Sequence, residues 1–237
     1  MTSDKKNTLF TSLANLIEIR RESLVELTQD LIKIPTLNPP GENYLEICEY
    51  LNRRLSKIGF ETQIIRAKGA PGDSDKYPRW NIIGRKEGRN SGECIHFNSH
   101  TDVVEVGLGW KFDPFGGQVF EGKVYGRGAC DMKGGLAASI IAVEAFLEAC
   151  PEYSGAIEIS GTADEETGGY GGVAYLAEKG FFSPQRVQHV IIPEPLHKDR
   201  ICLGHRGGWW AEIETFGEIA HGAVSYTHLT LPTTPYV

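Results

Sequence analysis

The 237-residue sequence lacks the features that mark several protein classes. It contains no apolar run long enough to span a bilayer, no cluster of lysines and arginines, and no internal repeat. Its first residues, "MTSDKKNTLFTSLANLIEIRRESL", form a charged amphipathic pattern rather than a signal peptide. The 24 basic and 31 acidic residues give a formal charge of −7, which argues against a nucleic-acid surface and against binding to an anionic membrane. We therefore expect a cytoplasmic protein without nucleic-acid or membrane partners.

Cysteine pairs are also missing, since no C-x-x-C motif occurs and the number of cysteines is odd. The cysteines are Cys48, Cys94, Cys130, Cys150 and Cys202. Their scattered positions predict reduced, mostly buried thiols rather than a disulfide framework or a structural zinc site. A hydrophobic content of 41% and a charged content of 23% are typical of a folded globular chain.

What is present is an alternation of helical and strand patterns. Apolar residues at helical spacing predict helices over about 24–31, 47–58 and 132–150, and a short helix is predicted in "GYGGVAYLAEKG". Strands are predicted in "ETQIIRA", "WNIIGRK", "ECIHFNSH", "GAIEISGTA" and "QHVIIPEP", with two more in "RICLGHRGGWWAEIETFGEIA". The glycine-rich segment 107–128 predicts a long loop with a hairpin at "GQVFEGKVYG". This alternation indicates an α/β fold with a largely parallel sheet, whose ligands bind where the strands end.

Two polar residues, His100 and Asp102, follow the apolar strand in "NSHTDVV". Residues two apart on a strand share a face, so the aspartate can accept the second ring N–H of a metal-binding histidine. The alternative is a strand-end histidine followed by a turn aspartate.

Further acids occupy similar places in the predicted fold. Asp131 precedes a helix within "GRGACDMKGG", the run of Asp164, Glu165 and Glu166 follows a strand, and Glu194 follows another strand between two prolines. Taken singly, Asp131 could be a helix N-cap and the acidic run a solvated loop. Taken together, one histidine and several carboxylates at one sheet edge suit Zn²⁺, Co²⁺ or Mn²⁺. More carboxylates than one ion requires suggest a pair of ions bridged by one aspartate.

The motifs "SHTDVV", "GRGACDMKGG", "TADEETGG" and "PEP" resemble, in order and spacing, those of the acetylornithine deacetylase / succinyl-diaminopimelate desuccinylase family. This family of two-metal amidohydrolases includes aminoacylases and glutamate carboxypeptidases, and the resemblance runs from about residue 20 to residue 222. It implies a three-layer α/β catalytic domain over 1–206 and the first strand of an α+β lid domain over 207–223. It also implies a zinc enzyme of amino-acid biosynthesis with two ions per site, Co or Mn being possible, that dimerises through its lid.

The resemblance also implies a role for each motif residue. The residues implied to bind metal are His100, Asp131 as the bridging ligand, Glu166 and Glu194. Asp102 would orient the histidine, and Glu165 would be the general base that takes a proton from a metal-bound water. His221, in "EIAHG", would stabilise the oxyanion that forms when this water attacks the amide carbonyl.

The sequence departs from the family after "AHG", where "AVSYTHLTLPTTPYV" does not resemble the expected lid helix. We expect residues 224–237 to be a non-native tail and a final metal-binding histidine to be missing, since His228 has no motif context. The expected consequence is little or no activity of this 237-residue chain, whereas its full-length parent would be a hydrolase. Metal-dependent hydrolysis of N-acyl amino acids by the purified chain would contradict this expectation.

Three functions therefore stand as hypotheses. The first is a metal-dependent hydrolase of the amide bond in N-acyl amino acids, of the deacetylase or desuccinylase type. The second is a metallo-aminopeptidase or dipeptidase, and the third is a metal-binding remnant without turnover. Glu165 separates the first two from the third, because a module that only binds metal does not need an unliganded carboxylate beside Glu166. Arg206, in "GHRGGWW", is either a binder of the substrate carboxylate or a surface residue.

Overall fold

The fold is known from a computed structural model, which describes residues 3–196, 199–204, 211, 213 and 214. All helices and strands formed by these described residues belong to Met1–Lys198, the first of two units into which the chain divides. The helices are α1 Ser3–Ile19, α2 Arg21–Ile32, α3 Tyr44–Lys57, α4 Lys133–Ala149 and the short α5 Tyr175–Glu178. The strands are β1 Glu61–Arg66, β2 Trp80–Glu87, β3 Asn90–His100, β4 Gln118–Phe120, β5 Lys123–Tyr125, β6 Ser154–Thr162 and β7 His189–Ile191.

Five of these strands form one mixed sheet in the order β1-β2-β6-β3-β7. Strand β2 is antiparallel to β1 and to β6, whereas β3 is parallel to β6 and to β7. Four of the five strands therefore run in the same direction, which confirms the predicted α/β class with a mostly parallel sheet. The predicted hairpin is also present, as the separate pair β4 and β5.

The apolar core lies between helices α2, α3 and α4 and one face of this sheet. Leu51 and Leu55 of α3 and Ile140 of α4 pack with Ile157 and Ile159 of β6, all nearly inaccessible to solvent. The alternate residues of β6 point to the other face, because side chains alternate along a strand. That second face is covered by part of segment 170–187, from which Phe182 and Arg186 contact the side chains of β3 and β6.

The second face carries a buried polar network instead of an apolar core. His96 of β3 lies opposite Glu158 of β6, and Asn98 lies opposite Ser160. The ring nitrogens of His96 lie 2.8 Å from Glu158 Oε2 and 2.8 Å from Ser160 Oγ, and Asn98 Nδ2 donates to Ser160 Oγ at 2.7 Å. With Nδ1 of His96 as the donor to Glu158, the Ser160 hydroxyl donates to Nε2, so that each of these groups has a partner.

Two expectations from the sequence require correction. The cysteines are all free, but only Cys48 and Cys94 are buried, while Cys150 is half-buried and Cys130 and Cys202 are exposed. The predicted strand at the start of "RICLGHRGGWW" is absent over the described residues 201–204, which lie in no helix or strand. The short helix predicted in "GYGGVAYLAEKG" is present as an irregular turn, Tyr170–Ala174, interrupted by a non-helical backbone at Gly172 (φ −110°, ψ −112°) and followed by α5. Among the described residues, no helix is both long enough and apolar enough to cross a bilayer.

Candidate metal centre

The polar residues predicted from the sequence lie at one edge of the sheet, where the parallel strands β6, β3 and β7 end. His100 is the last residue of β3, and Glu194 follows the end of β7 by three residues. Glu165 and Glu166 begin a short 3₁₀ helix, Glu165–Thr167, just beyond β6. Asp131 comes from the segment that leads into α4. The topology therefore brings together five side chains from four separate segments.

The imidazole of His100 lies at the centre of this group. Its Nε2 atom is 3.0 Å from Asp131 Oδ1, 3.8 Å from Glu165 Oε2 and 3.8 Å from Glu194 Oε1. In the part of the chain that the structure describes, two sets of three side chains each have their potential ligand atoms within 4.8 Å of one another. One set is His100, Asp131 and Glu194, and the other is His100, Glu165 and Glu166.

These separations fit a divalent metal ion. Zn–N and Zn–O bonds of about 2.0–2.2 Å place two ligand atoms of one ion no more than about 4.4 Å apart. The measured distances from Nε2 fall inside that limit, and Asp131 and Glu165 are half-exposed, so their carboxylates can adjust. A histidine with several carboxylates is also a ligand set that zinc and its neighbours accept.

Asp102 supports this centre through hydrogen bonds and is completely buried. The Nδ1 atom of His100 is 2.9 Å from the backbone oxygen of Asp102 and 3.5 Å from its carboxylate. A ring that donates from Nδ1 turns the lone pair of Nε2 toward the other carboxylates. The Asp102 carboxylate also accepts the backbone N–H groups of Glu165 at 3.2 Å and of Glu166 at 3.1 Å. The same side chain therefore holds both the histidine and the turn that carries the two glutamates.

The electrostatics show that this centre has an excess of negative charge. Burial would lower the pKa of His100, but the hydrogen bond and the charge of Asp102, with contributions from Glu194 and Asp131, raise it to about 10. Burial is the largest cause that raises the pKa of Glu166 and of Glu194 to about 7; His100 opposes this rise and Asp131 adds to it. A bound cation would relieve the repulsion among these carboxylates.

Asp164 does not belong to the ligand group, although it directly precedes the two glutamates. The sequence motifs assigned no role to it. In the structure its side chain is 3% exposed and forms an ion pair of 3.0 Å with Arg79, which is also buried. Tyr44 donates a hydrogen bond to the same carboxylate at 3.1 Å. The three consecutive acids therefore point to different environments.

Two residues contribute to this region in a way that could not be predicted from the sequence. Asn38 donates from Nδ2 to Asp102 Oδ2 at 2.8 Å, and Arg79 pairs with Asp164 across 85 positions of the chain. Neither residue belongs to a motif, and only the fold brings them to the centre. His221, Arg206 and His228 lie outside the described residues, so the roles considered for them stay predictions.

Comparisons with known proteins agree with this geometry. A model of peptidase family M20/M25/M40 matches residues 96–230. A succinyl-diaminopimelate desuccinylase of Methylobacterium nodulans is 37% identical over 215 residues, covering 87% of this chain and 51% of that protein. The desuccinylase of Methylobacterium radiotolerans is 34% identical over 215 residues, covering 87% of this chain and 52% of that protein. The chain thus spans about half the length of the curated relatives it matches.

A solved structure shares the fold. The di-peptidase Dug1p from Saccharomyces cerevisiae superposes with a TM-score of 0.67 at 22% identity, over 77% of this chain and 40% of that chain. At this level of identity the likeness extends to the fold alone.

Proposed function

The chain belongs to peptidase family M20/M25/M40, and we propose that the whole protein is a metal-dependent hydrolase of the amide bond in N-acyl amino acids. The observation that carries this proposal is the convergence of His100 with the four carboxylates of Asp131, Glu165, Glu166 and Glu194 at one sheet edge. The names of the two bacterial relatives make an N-succinyl diamino acid the first substrate to test.

In this proposal His100 and Glu194 would bind one divalent ion, Glu166 would bind a second one, and Asp131 would bind both. Zn²⁺ is the proposed metal, with Co²⁺ or Mn²⁺ as substitutes. A bound ion would polarise the amide carbonyl and lower the pKa of a nearby water molecule. This assignment leaves Glu165 without a metal, although its carboxylate lies within reach of His100.

The protein's own groups would then move the proton. Glu165 accepts a proton from the attacking water, whose oxygen forms a bond to the carbonyl carbon. The C–N bond breaks, and Glu165 passes the same proton to the leaving nitrogen, so that an amine and a carboxylic acid are released, and the acid then loses its own proton to solvent. His221 is assigned to donate a hydrogen bond to the carbonyl oxygen as negative charge develops there. Asp102 holds His100 and the backbone of both glutamates in place throughout.

Other parts of the proposal concern the whole molecule. We place the boundary of the catalytic domain near residue 206 and the start of a lid domain at 207–223, through which two copies form a homodimer. A cytoplasmic location is consistent with five free cysteines.

The proposal is tested by incubating the metal-loaded whole protein with four classes of substrate and measuring the release of primary amine. These are an N-succinyl diamino acid, an N-acetyl amino acid, an unblocked dipeptide and an aminoacyl p-nitroanilide. We expect hydrolysis of one or both acylated substrates, and its loss when a chelator is added. Hydrolysis of the unblocked substrates alone would indicate a dipeptidase or aminopeptidase instead, and metal binding without any turnover would indicate a non-catalytic metal protein.

Metal binding itself is expected to stabilise the 237-residue chain. An ion present at 100 times its dissociation constant contributes about 2.7 kcal/mol, which corresponds to a rise of about 5–10 °C in unfolding temperature for a chain of this size. Because His100 belongs to both ligand sets, His100→Ala should abolish the rise. The matched control is His189→Ala, which removes an exposed histidine on β7 and should keep it. The comparison requires thermal unfolding with Zn²⁺ and with chelator, and a full metal-induced rise in the His100→Ala variant would refute the assignment.

A further inference from the structure

We propose that Asp164 and Arg79 are a positioning pair that holds Glu165 and Glu166 in the orientation needed at the metal centre. The inference rests on the proposed metal-binding function. It adds two residues that support the centre without contacting His100, Asp131 or Glu194. It starts from the burial of the pair: the side chains of Arg79 and Asp164 are 5% and 3% exposed. A buried ion pair is costly unless its remaining hydrogen-bonding groups are satisfied.

The surroundings of Arg79 satisfy its Nε and Nη1 donors. Its Nη1 donates to the backbone oxygens of Pro40 at 2.7 Å and of Tyr77 at 2.9 Å, and its Nε donates to Asp164 at 3.0 Å. Three glycines allow the backbone to approach the side chain closely. A Cβ atom at Gly41, Gly72 or Gly171 would lie closer than 3.0 Å to it. The guanidinium therefore occupies a fitted site, which fixes the position of the carboxylate it binds.

Asp164 connects this ion pair to the turn of residues 164–169, which carries Glu165 and Glu166. It adopts a left-handed backbone conformation with φ of 62°, which aspartate tolerates better than most residues. Its backbone oxygen accepts the N–H groups of Thr167 at 3.1 Å and of Gly169 at 2.6 Å, and thereby closes the turn around Glu165 and Glu166. Its backbone N–H donates to the Tyr44 hydroxyl at 3.1 Å. Both the side chain and the backbone of Asp164 are thus anchored immediately before the two glutamates.

The turn is consequently held from two sides. Asp102 accepts the backbone N–H groups of Glu165 and Glu166, and the pair of Asp164 and Arg79 fixes the residue before them. Outer partners of this kind typically change metal affinity by about 10–100-fold when they are removed. Since Asp164 contacts neither His100 nor Asp131, a loss of that size accompanied by a looser turn at 165–169 would act through the glutamates.

The test compares Asp164→Asn and Arg79→Lys with a matched control, Glu158→Gln, in the 237-residue chain. Glu158 is likewise a buried, arginine-paired carboxylate, but it lies on the second face of the sheet and away from the metal centre. Co²⁺ affinity is measured by titration of its visible absorption, and backbone exchange by hydrogen–deuterium exchange of peptides that cover 162–170 and α4. We expect Asp164→Asn to weaken Co²⁺ binding about 10–100-fold and to speed exchange at 165–169 relative to α4. Arg79→Lys should have a smaller effect, and Glu158→Gln should lower stability without either change.

The outcomes separate this inference from the function on which it rests. Unchanged affinity and exchange in Asp164→Asn, or equal losses in Glu158→Gln, would overturn the positioning role. If the unmodified protein binds metal but hydrolyses no acylated substrate, the proposed function fails while the comparison of variants still decides the positioning role. If the unmodified chain binds no metal, the metal site fails and the exchange at 165–169 decides the positioning role alone.

Discussion

Replacing Glu165 by glutamine should lower the rate of amide hydrolysis by the whole protein about 10²–10⁴-fold, the usual contribution of a general base. Glutamine has nearly the same shape but cannot accept the proton of the attacking water. The Glu165 side chain is 51% exposed, so an incoming substrate and its water can reach it, while its backbone is fixed by Asp102. The measurement is the initial rate on the best acylated substrate at saturating metal. Glu61→Gln, a change at an exposed residue of β1, is the control and should keep the full rate.

The same variant decides whether Glu165 is a base or a ligand. In the structure its carboxylate can join His100 and Glu166 around one ion, which leaves both roles geometrically open. A base predicts that Glu165→Gln binds metal with nearly unchanged affinity and loses only turnover. A ligand predicts that affinity falls along with turnover, as it should for Glu166→Gln. Unchanged turnover would refute the proposed mechanism altogether.

The convergence of the candidate ligands could be predicted because it depends on features that a sequence carries locally. Each candidate ligand follows an apolar strand or precedes a helix, and parallel strands end at a common edge. His100, Glu165, Glu166 and Glu194 meet for this reason, since β3, β6 and β7 are parallel neighbours. The spacing of the motifs therefore predicted which residues come together, even without the order of the strands.

The supports of the centre could not be predicted, because they depend on long-range packing. Arg79 stands before β2 and reaches Asp164 only because β2 pairs with β6. The three glycines around its side chain occur in unrelated loops. The role of Asp102 could be predicted only in part. Its motif indicated an interaction with His100, but no neighbouring residue in the sequence indicates that its carboxylate also binds two backbone N–H groups.

The buried polar face of the sheet could be predicted only in part. In "CIHFN" and "IEISG" polar and apolar residues alternate, which predicts one polar face for each strand. Their mutual pairing, His96 with Glu158 and Asn98 with Ser160, follows only from the register of β3 against β6. Segment 170–187 then covers the face and makes these groups inaccessible to solvent, a step that alternation alone cannot reveal.

The buried carboxylate of Glu158 leads to the second large prediction. It is completely buried and binds Arg85 at 2.8 Å, Arg186 at 2.6 Å and His96 at 2.8 Å. Glu158→Ala would leave the completely buried His96 without its acceptor and would take one partner from Arg85 and Arg186, whose side chains are 28% and 34% exposed. Breaking a buried ion pair from one side costs about 3–5 kcal/mol, and because water reaches the two guanidinium groups we expect a loss near the lower end of that range. Urea unfolding at pH 7 should show this loss in the free energy of unfolding.

Two further variants test the origin of that loss. Glu87→Ala removes the other carboxylate bound to Arg85, but this one is 66% exposed, so the cost should stay within about 1 kcal/mol. Glu158→Gln retains the shape and one oxygen acceptor and should cost less than Glu158→Ala. Equal losses in Glu87→Ala and Glu158→Ala would show that burial of the network contributes nothing.

The pH dependence of folding stability separates the contribution of the Glu158 charge from that of packing. Burial would raise the pKa of Glu158, but the hydrogen bonds from His96 and Arg85 and the charge of Arg186 outweigh it, and the pKa lies below its usual range. A carboxyl group whose pKa is lower in the folded state stabilises the fold above the pKa of the unfolded chain, near 4.3, and loses that contribution as the pH falls through its folded value. The difference in stability between the unmodified protein and Glu158→Gln should therefore be largest above about pH 5 and narrow below about pH 4. A difference that stays constant over this interval would assign the loss to packing rather than to charge.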